Sequence, residues 1–294
     1  MRKLYVGVIA IFTLLGTSGM VLAKGANKIN PADADLIEQI IHSIPSPIEM
    51  TMLMKESGVT YDRDMLNDYN NSDKYTTNYK KALNLGIYST NLGFSNIYGK
   101  TQDAIHYLDA VQDLAEGLAI DQFFEYSTLK ALAEKENLGE LIQSTTRNFE
   151  KINNHLHEQN RDVISALLLT GGWIESTHLT TLIYSKSAGR ADIQTVLKEK
   201  IAEQKFVLER LMLLLDIYSS KPQVPELLNS MEKLQDIYDD VEISTTGDVK
   251  MRVIKHDDGT IEFVNDEVST AKISSAQISE ITTILSDIRK SIIQ

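Results

Sequence analysis

The chain has 294 residues, with 29 Lys and Arg against 41 Asp and Glu, and a formal net charge of −12. An apolar content of 43% is sufficient for a buried core, and the lack of cysteine excludes disulfides, thiolate metal sites and thiol nucleophiles. Nucleic acid and anionic membranes both repel an acidic surface, so neither is expected as the main partner.

The first 23 residues have the pattern of a secretory signal peptide. Arg2 and Lys3 give a positive start, an apolar run follows, and small residues lead to a cleavage site after Ala23. The stretch Leu4 to Ala23 has 20 residues, so an uncleaved membrane anchor is the alternative. Its glycines and small-residue end favour cleavage. We therefore expect a periplasmic or secreted protein that is not a lipoprotein and does not stay inserted in the membrane.

Residues 24–294 are expected to form a single helical domain. Gly and Pro are sparse, and apolar residues recur at spacings of three and four, which is typical of long helices. The predicted helices cover about 73–98, 101–119, 121–137, 140–159, 162–184, 192–218, 225–240 and 270–292. The segment 162–184 is apolar nearly all round, which predicts a helix at the centre of the molecule. The predicted fold class is therefore all-α, a multi-helix bundle of long antiparallel helices.

One segment, about 241–265, has the alternating pattern of β-structure. Apolar and polar residues alternate on both sides of Asp258-Gly259, and this dipeptide is a strong signal for a tight hairpin turn. Val241 to Ser244 is a candidate third strand. The sequence therefore predicts one small β-hairpin before the C-terminal helix.

Several glycines lie inside the predicted helices. Gly86 and Gly93 are seven residues apart in one helix, and Gly171 and Gly172 are adjacent in the central one. A phosphate-binding loop would need a strand before the glycines and a helix after them, and neither pattern is present. We therefore expect these glycines to allow two helices to approach closely.

Two acidic-x-x-His pairs are the candidate metal ligands. Glu175 and His178 share one face of the central helix, and Asp103 and His106 form a second pair on another helix. Glu-x-x-His is half of the ligand set of helical bundles that hold two metal ions, so a transition metal is the candidate cofactor. The alternative is structural: Glu175 and His178 bond to each other or to nearby Thr, Tyr or Arg side chains. No cofactor is predicted under that alternative.

A stripe of polar and aromatic residues is the candidate ligand or partner surface. Asn84, Tyr88, Asn91 and Tyr98 lie on one side of the first long helix. Aromatic rings beside amide groups suit a sugar, another polar ligand or a protein partner. Hydrogen bonding between helices inside the bundle is the alternative use of the same residues.

Part of the chain resembles a group of exported proteins. The letters IPSP at 44–47 and KYTTNYKKALNLGIY at 74–88 carry the likeness, which covers about Ile44 to Tyr107. They resemble exported helical proteins of Bacteroidota that have no assigned activity. The resemblance implies an exported location and contributes no catalytic residues.

The sequence gives no positive indication of an enzyme, since no nucleophile elbow, phosphate loop or zinc-protease motif is present. We therefore expect a non-enzymatic binding or scaffold protein of the cell envelope, with an envelope protein or a glycan as partner. The alternative is a helical-bundle metal-binding or redox protein. The sequence leaves the oligomeric state open.

Overall fold

Long helices make up most of the described chain, which confirms the predicted all-α class. The computed structural model describes residues 54–55, 58–134, 138–246, 251–255, 261–265 and 268–294. The helices are α1 (Asn78–Ile97), α2 (Thr101–Gly117), α3 (Tyr126–Glu134), α4 (Leu138–Glu158), α5 (Asp162–Lys186), α6 (Ala191–Ile217), α7 (Val224–Asp239) and α8 (Ser275–Ile293). The predicted signal peptide lies outside the described residues, as does the beginning of the segment 44–107, on which the expected resemblance rests.

Helix α1 begins later than its sequence pattern predicts. Residues Tyr69–Lys74 form a 3-10 turn, and the hydroxyl of Thr77 accepts a hydrogen bond from the Lys80 amide at 3.2 Å. This is the capping contact that satisfies a free amide at a helix start, so Thr77 is the N-cap. The predicted start near residue 73 is therefore wrong.

The buried helix α5 is at the centre of the fold, as its uniform apolarity predicts. Twenty of its residues are buried. It packs most extensively against α1 and also contacts α4, α6 and α8. Helix α2 packs on the other side of α1, α7 packs against α6, and α8 contacts α7, α5 and α1. The packing order is thus α2, α1, α5, α6, α7, and α8 connects α7 back to α5 and α1.

The two central helices touch backbone to backbone at their glycines. A Cβ atom added to Gly86 would overlap the Leu168 carbonyl oxygen and lie 2.5 Å from the Gly172 nitrogen. One added to Gly171 would lie 2.7 Å from the carbonyl carbon of Leu83. Thr90 also donates a hydrogen bond to the Gly172 carbonyl at 3.3 Å. The predicted close helix approach is therefore confirmed at Gly86 and Gly171.

The β-structure consists of two antiparallel pairs formed by β1 (Glu242–Thr246), β2 (Met251–Lys255), β3 (Ile261–Asn265) and β4 (Val268–Lys272). The predicted hairpin is the β2–β3 pair, in which Val253 is opposite Phe263. The candidate third strand is β1, but it pairs with β4 and not with β2. Strand β4 packs against α6, so the outer pair joins the sheet segment to the helical body.

Strand β4 occupies residues that the helical pattern assigned to the last helix. The predicted start of that helix near residue 270 is wrong, because Val268–Lys272 pairs with β1. Helix α8 begins after Ser274, whose hydroxyl accepts from the Gln277 amide at 3.1 Å while the Gln277 side chain accepts from the Ser274 amide at 2.9 Å. This reciprocal capping box fixes the helix start.

Candidate functional site

The Glu175 side chain is paired with an arginine from the C-terminal helix. Glu175 is fully buried on α5, and Arg289 on α8 donates from Nη2 to one carboxylate oxygen at 3.0 Å and from Nε to the other. Arg289 Nη2 also donates to the carbonyl of Met65 at 3.4 Å. A two-point contact of this kind is strong and directional, and it compensates a carboxylate that would otherwise be costly to bury. It matches the structural alternative that the sequence left open for Glu175.

His178 lies one helical turn beyond Glu175 and is held without a charge. Its side chain is buried, and its Nδ1 atom has no hydrogen-bond partner among the described residues. Burial is the main cause that lowers the pKa of His178 to about 4; the nearby Arg289 also lowers it, while Glu175 acts in the opposite direction. The imidazole is therefore neutral at physiological pH.

This buried histidine predicts a loss of stability in mild acid. The unfolded imidazole titrates near 6.5, so between pH 6.5 and about 4 the unfolded state binds more protons than the folded state. The folded state consequently loses free energy of unfolding as the pH falls through this window. The free energy of unfolding should therefore fall between about pH 7 and about pH 5. We expect this fall to be about 2 kcal/mol smaller in His178→Gln than in the unchanged protein. Urea unfolding at the two pH values measures it, and an unchanged decrease in the variant would contradict the assignment.

The second predicted metal pair has other partners. Asp103 accepts a hydrogen bond from the Tyr61 hydroxyl at 2.9 Å. His106 Nε2 lies 3.1 Å from Gln102 Nε2, and its ring stacks on Tyr69. In the part of the chain that the structure describes, no three His, Asp or Glu side chains are grouped as a metal site requires. The structure therefore does not bring Glu175, His178, Asp103 and His106 together as one ligand set.

The Tyr and Asn stripe of α1 faces the interior, which corrects its assignment to a surface. Asn84, Tyr88 and Asn91 are fully buried, and Tyr98 is half-buried. Asn84 donates to the Ile292 carbonyl at 3.2 Å, Tyr88 donates to the Asp68 carbonyl at 2.8 Å, and Tyr98 donates to the Met54 carbonyl at 3.0 Å. Burial of these side chains keeps them from forming an exposed binding surface. The alternative of hydrogen bonding inside the bundle describes Asn84, Tyr88 and Tyr98, whereas the buried side-chain amide of Asn91 has no hydrogen-bond partner among the described residues.

The same interior network holds the chain before α1 in place. Tyr107 donates to the Asn67 carbonyl at 2.8 Å, and Asn67 Nδ2 donates to the Tyr75 hydroxyl at 3.0 Å. Tyr75 in turn donates to the carbonyl of Ile293 at 3.3 Å. These bonds fix a segment that has little regular structure, and so they give a rigid support to the surface residues next to it.

A cluster of charged and aromatic side chains lies on the outside of this network. We call it the aromatic patch, and it consists of Tyr61, Arg63, Tyr69, Lys100, Asp103 and His106. Arg63 and Lys100 are exposed, and the other four are half-buried. The patch is contributed by the segment before α1, by the α1–α2 connection and by the first turns of α2.

Cation–π contacts and ring stacking organise the aromatic patch. The Arg63 guanidinium carbon lies 4.4 Å from the centre of the Tyr69 ring, and the His106 ring centre lies 4.6 Å from it. Lys100 Nζ lies 5.6 Å from the centre of the Tyr61 ring. Contacts of this kind hold flexible cations in place over an aromatic surface. The patch is thus a partly ordered array of donors, rings and one carboxylate.

The hydroxyl of Tyr61 acts as a donor at physiological pH. Burial is the main cause that raises the pKa of Tyr61 above its ordinary value, and the hydrogen bond to Asp103 raises it further. The phenol therefore keeps its proton and fixes the carboxylate of Asp103. Of the six patch residues, the sequence pattern singled out only Asp103 and His106, and for metal chemistry. The segment containing Tyr61, Arg63 and Tyr69 has no periodicity that would have marked it.

Comparisons with known proteins give no relative. No protein-family model, no curated protein and no solved structure matches the chain. Among the described residues, none of the helices combines the length and the continuous apolarity that crossing a bilayer requires.

Proposed function

We propose that the protein is a non-enzymatic binding or scaffold protein of the bacterial cell envelope, and that the aromatic patch is its binding surface. The observation that supports the patch is the stacking of Arg63 and His106 on Tyr69 at an exposed edge of the fold. Tyrosine and arginine are the residue types most enriched among those that dominate binding energy at protein interfaces. The envelope location is supported by the signal-peptide pattern of residues 1–23 and by the resemblance to exported proteins.

A protein is the partner class that fits the patch best. The Tyr69 ring already contacts a guanidinium and an imidazole, and so it has little free face for stacking against a sugar ring. The patch instead offers two exposed cations and a half-buried carboxylate held by Tyr61. Side chains ordered before binding lose less conformational entropy when a partner docks. We therefore propose an envelope protein as the partner. The alternative ligand that the experiments below distinguish from it is a glycan.

We expect Arg63→Ala combined with Lys100→Ala to reduce partner binding at least about tenfold, because one interface hot spot contributes at least about 2 kcal/mol. Both side chains are exposed, so the fold should be unaffected. The measurement is recovery of cross-linked partners with C-terminally tagged protein from its own cells, followed by quantitative mass spectrometry. Arg147→Ala is the matched control, because Arg147 is exposed and hydrogen bonds to Ser144 on its own helix.

Arg63→Lys separates charge from stacking. It keeps the positive charge and loses the planar group that lies against Tyr69, so we expect most of the binding to be lost with it. Full recovery of the same partners by Arg63→Ala/Lys100→Ala would contradict the patch as the binding surface. Binding on a glycan array that depends on the patch residues would identify a glycan as the ligand and contradict the protein partner.

A further inference from the structure

Exposed apolar residues are concentrated on one helix. In the described part of the chain, the large apolar side chains that are most exposed are Val196 (44%), Phe206 (45%) and Leu213 (49%), and all three lie on α6. Phe206 and Leu213 are seven residues apart, and so they lie within about 20° of each other around the helix axis. They are on the side opposite the buried Leu208 and Leu215. Two exposed apolar side chains on one outward face make that face a candidate contact surface.

The two charged residues between Phe206 and Leu213 are complementary to the same two residues of a second copy. Glu209 and Arg210 lie midway between Phe206 and Leu213 along α6. If two copies of α6 pack antiparallel about a two-fold axis at this midpoint, Phe206 is opposite the partner's Leu213 and Glu209 is opposite the partner's Arg210. Two-fold symmetry makes each contact occur twice. A single antiparallel alignment of two α6 helices thus makes both the apolar contacts and the charged contacts.

We infer that the outer face of α6, formed by Phe206, Glu209, Arg210 and Leu213, is a homodimer interface in which two α6 helices pack antiparallel. The second copy of this chain is the occupant because the face matches itself in both apolarity and charge. The same register places Glu203 near the partner's Asp216. Lys200 Nζ lies 2.7 Å from the Glu203 carboxylate on the same helix and offsets this like-charge approach.

The dimer would present two copies of the aromatic patch. The patch lies at the start of α2, and α1 and α5 separate α2 from α6 in the packing order. Pairing through α6 therefore leaves both patches on outer sides of the dimer. A two-site scaffold binds a clustered partner more tightly than either site alone. This consequence depends on the proposed function of the patch, whereas the dimer itself does not.

Sedimentation velocity of the full chain, expressed with its own N-terminal segment, tests the dimer from about 1 µM to about 1 mM. We expect the sedimentation coefficient to rise from the monomer to the dimer value over this range. Phe206→Ser combined with Leu213→Ser should abolish the rise. Val196→Ser is the matched control, because Val196 is equally exposed on the same helix but lies roughly a quarter-turn away from the face. It should dimerise like the unchanged protein.

A charge exchange tests the antiparallel register. Glu209→Arg and Arg210→Glu should each weaken dimerisation at least about tenfold, since each places like charges together twice. The double exchange Glu209→Arg/Arg210→Glu should restore dimerisation.

A monomer at every concentration, or a dimer that persists in Phe206→Ser/Leu213→Ser, would overturn the interface. If the double exchange Glu209→Arg/Arg210→Glu does not restore dimerisation, the proposed antiparallel register is wrong. Partner recovery through the patch is measured separately, so failure of one proposal is distinguishable from failure of the other.

Discussion

Gly86→Ala and Gly171→Ala are each expected to destabilise the protein by about 3 kcal/mol or more. The added methyl group would meet backbone atoms of the facing helix, which cannot rotate away: Leu168 and Gly172 opposite Gly86, and Leu83 opposite Gly171. Relief would require α1 and α5 to separate along the most extensive contact in the fold. Urea unfolding followed by far-ultraviolet circular dichroism measures the loss.

Gly117→Ala is the matched control for these two substitutions. Gly117 is the last residue of α2, and a Cβ atom added there would lie 2.6 Å from Lys81 Nζ, the free end of a flexible side chain. Because Ala has the higher helix propensity, we expect no loss, or a gain of up to about 1 kcal/mol. Gly86→Ala with the stability of the unchanged protein would contradict the backbone contact between α1 and α5.

Arg289→Met is expected to cost about 3–5 kcal/mol, because it leaves the carboxylate of Glu175 buried without its partner. Glu175→Leu should cost less, since the Arg289 side chain retains 12% exposure and can turn its charge towards water. The double substitution Glu175→Leu/Arg289→Met removes both charges and should restore much of the stability. The measurement is a double-mutant cycle of urea unfolding free energies.

The exposed pair of Glu242 and Lys272 is the comparison for this cycle. Their side chains are 67% and 79% exposed, so Lys272→Met should change the unfolding free energy very little. Additive effects of the two substitutions at Glu175 and Arg289 would show that the two side chains act independently. That result would contradict the buried ion pair.

Residues close together in the chain could be predicted from the sequence. The spacing of apolar residues located the long helices, and the uniform apolarity of 162–184 identified the central one, since these patterns are local. The glycines at 86 and 171 indicated a close approach because no other local role suited them. The start of α8 also has a local signal, because Ser274 and Gln277 have the spacing of a capping box, although the apolar Ile273 just before them extends the helical periodicity past it.

Contacts between distant segments could not be predicted. Arg289 is 114 residues from Glu175, and many of the chain's arginines and lysines could have served as its partner. The Tyr and Asn stripe of α1 has the composition of a binding surface, and only the packing of the segment before α1 and of α8 shows that it is buried. The aromatic patch joins an irregular segment to α2, and irregular segments carry no periodic signal.

The bonds from Tyr75 and Asn84 to the carbonyls of Ile293 and Ile292 join residues 218 and 208 positions apart. Loops of this length close slowly, because the entropy of closure is lost before the contacts form. The interior beside α1 therefore stays incomplete until α8 has been synthesised. A fold whose interior is completed late stays open for longer, and a narrow membrane pore admits only an unfolded chain. Late completion of the fold is thus compatible with the proposed export.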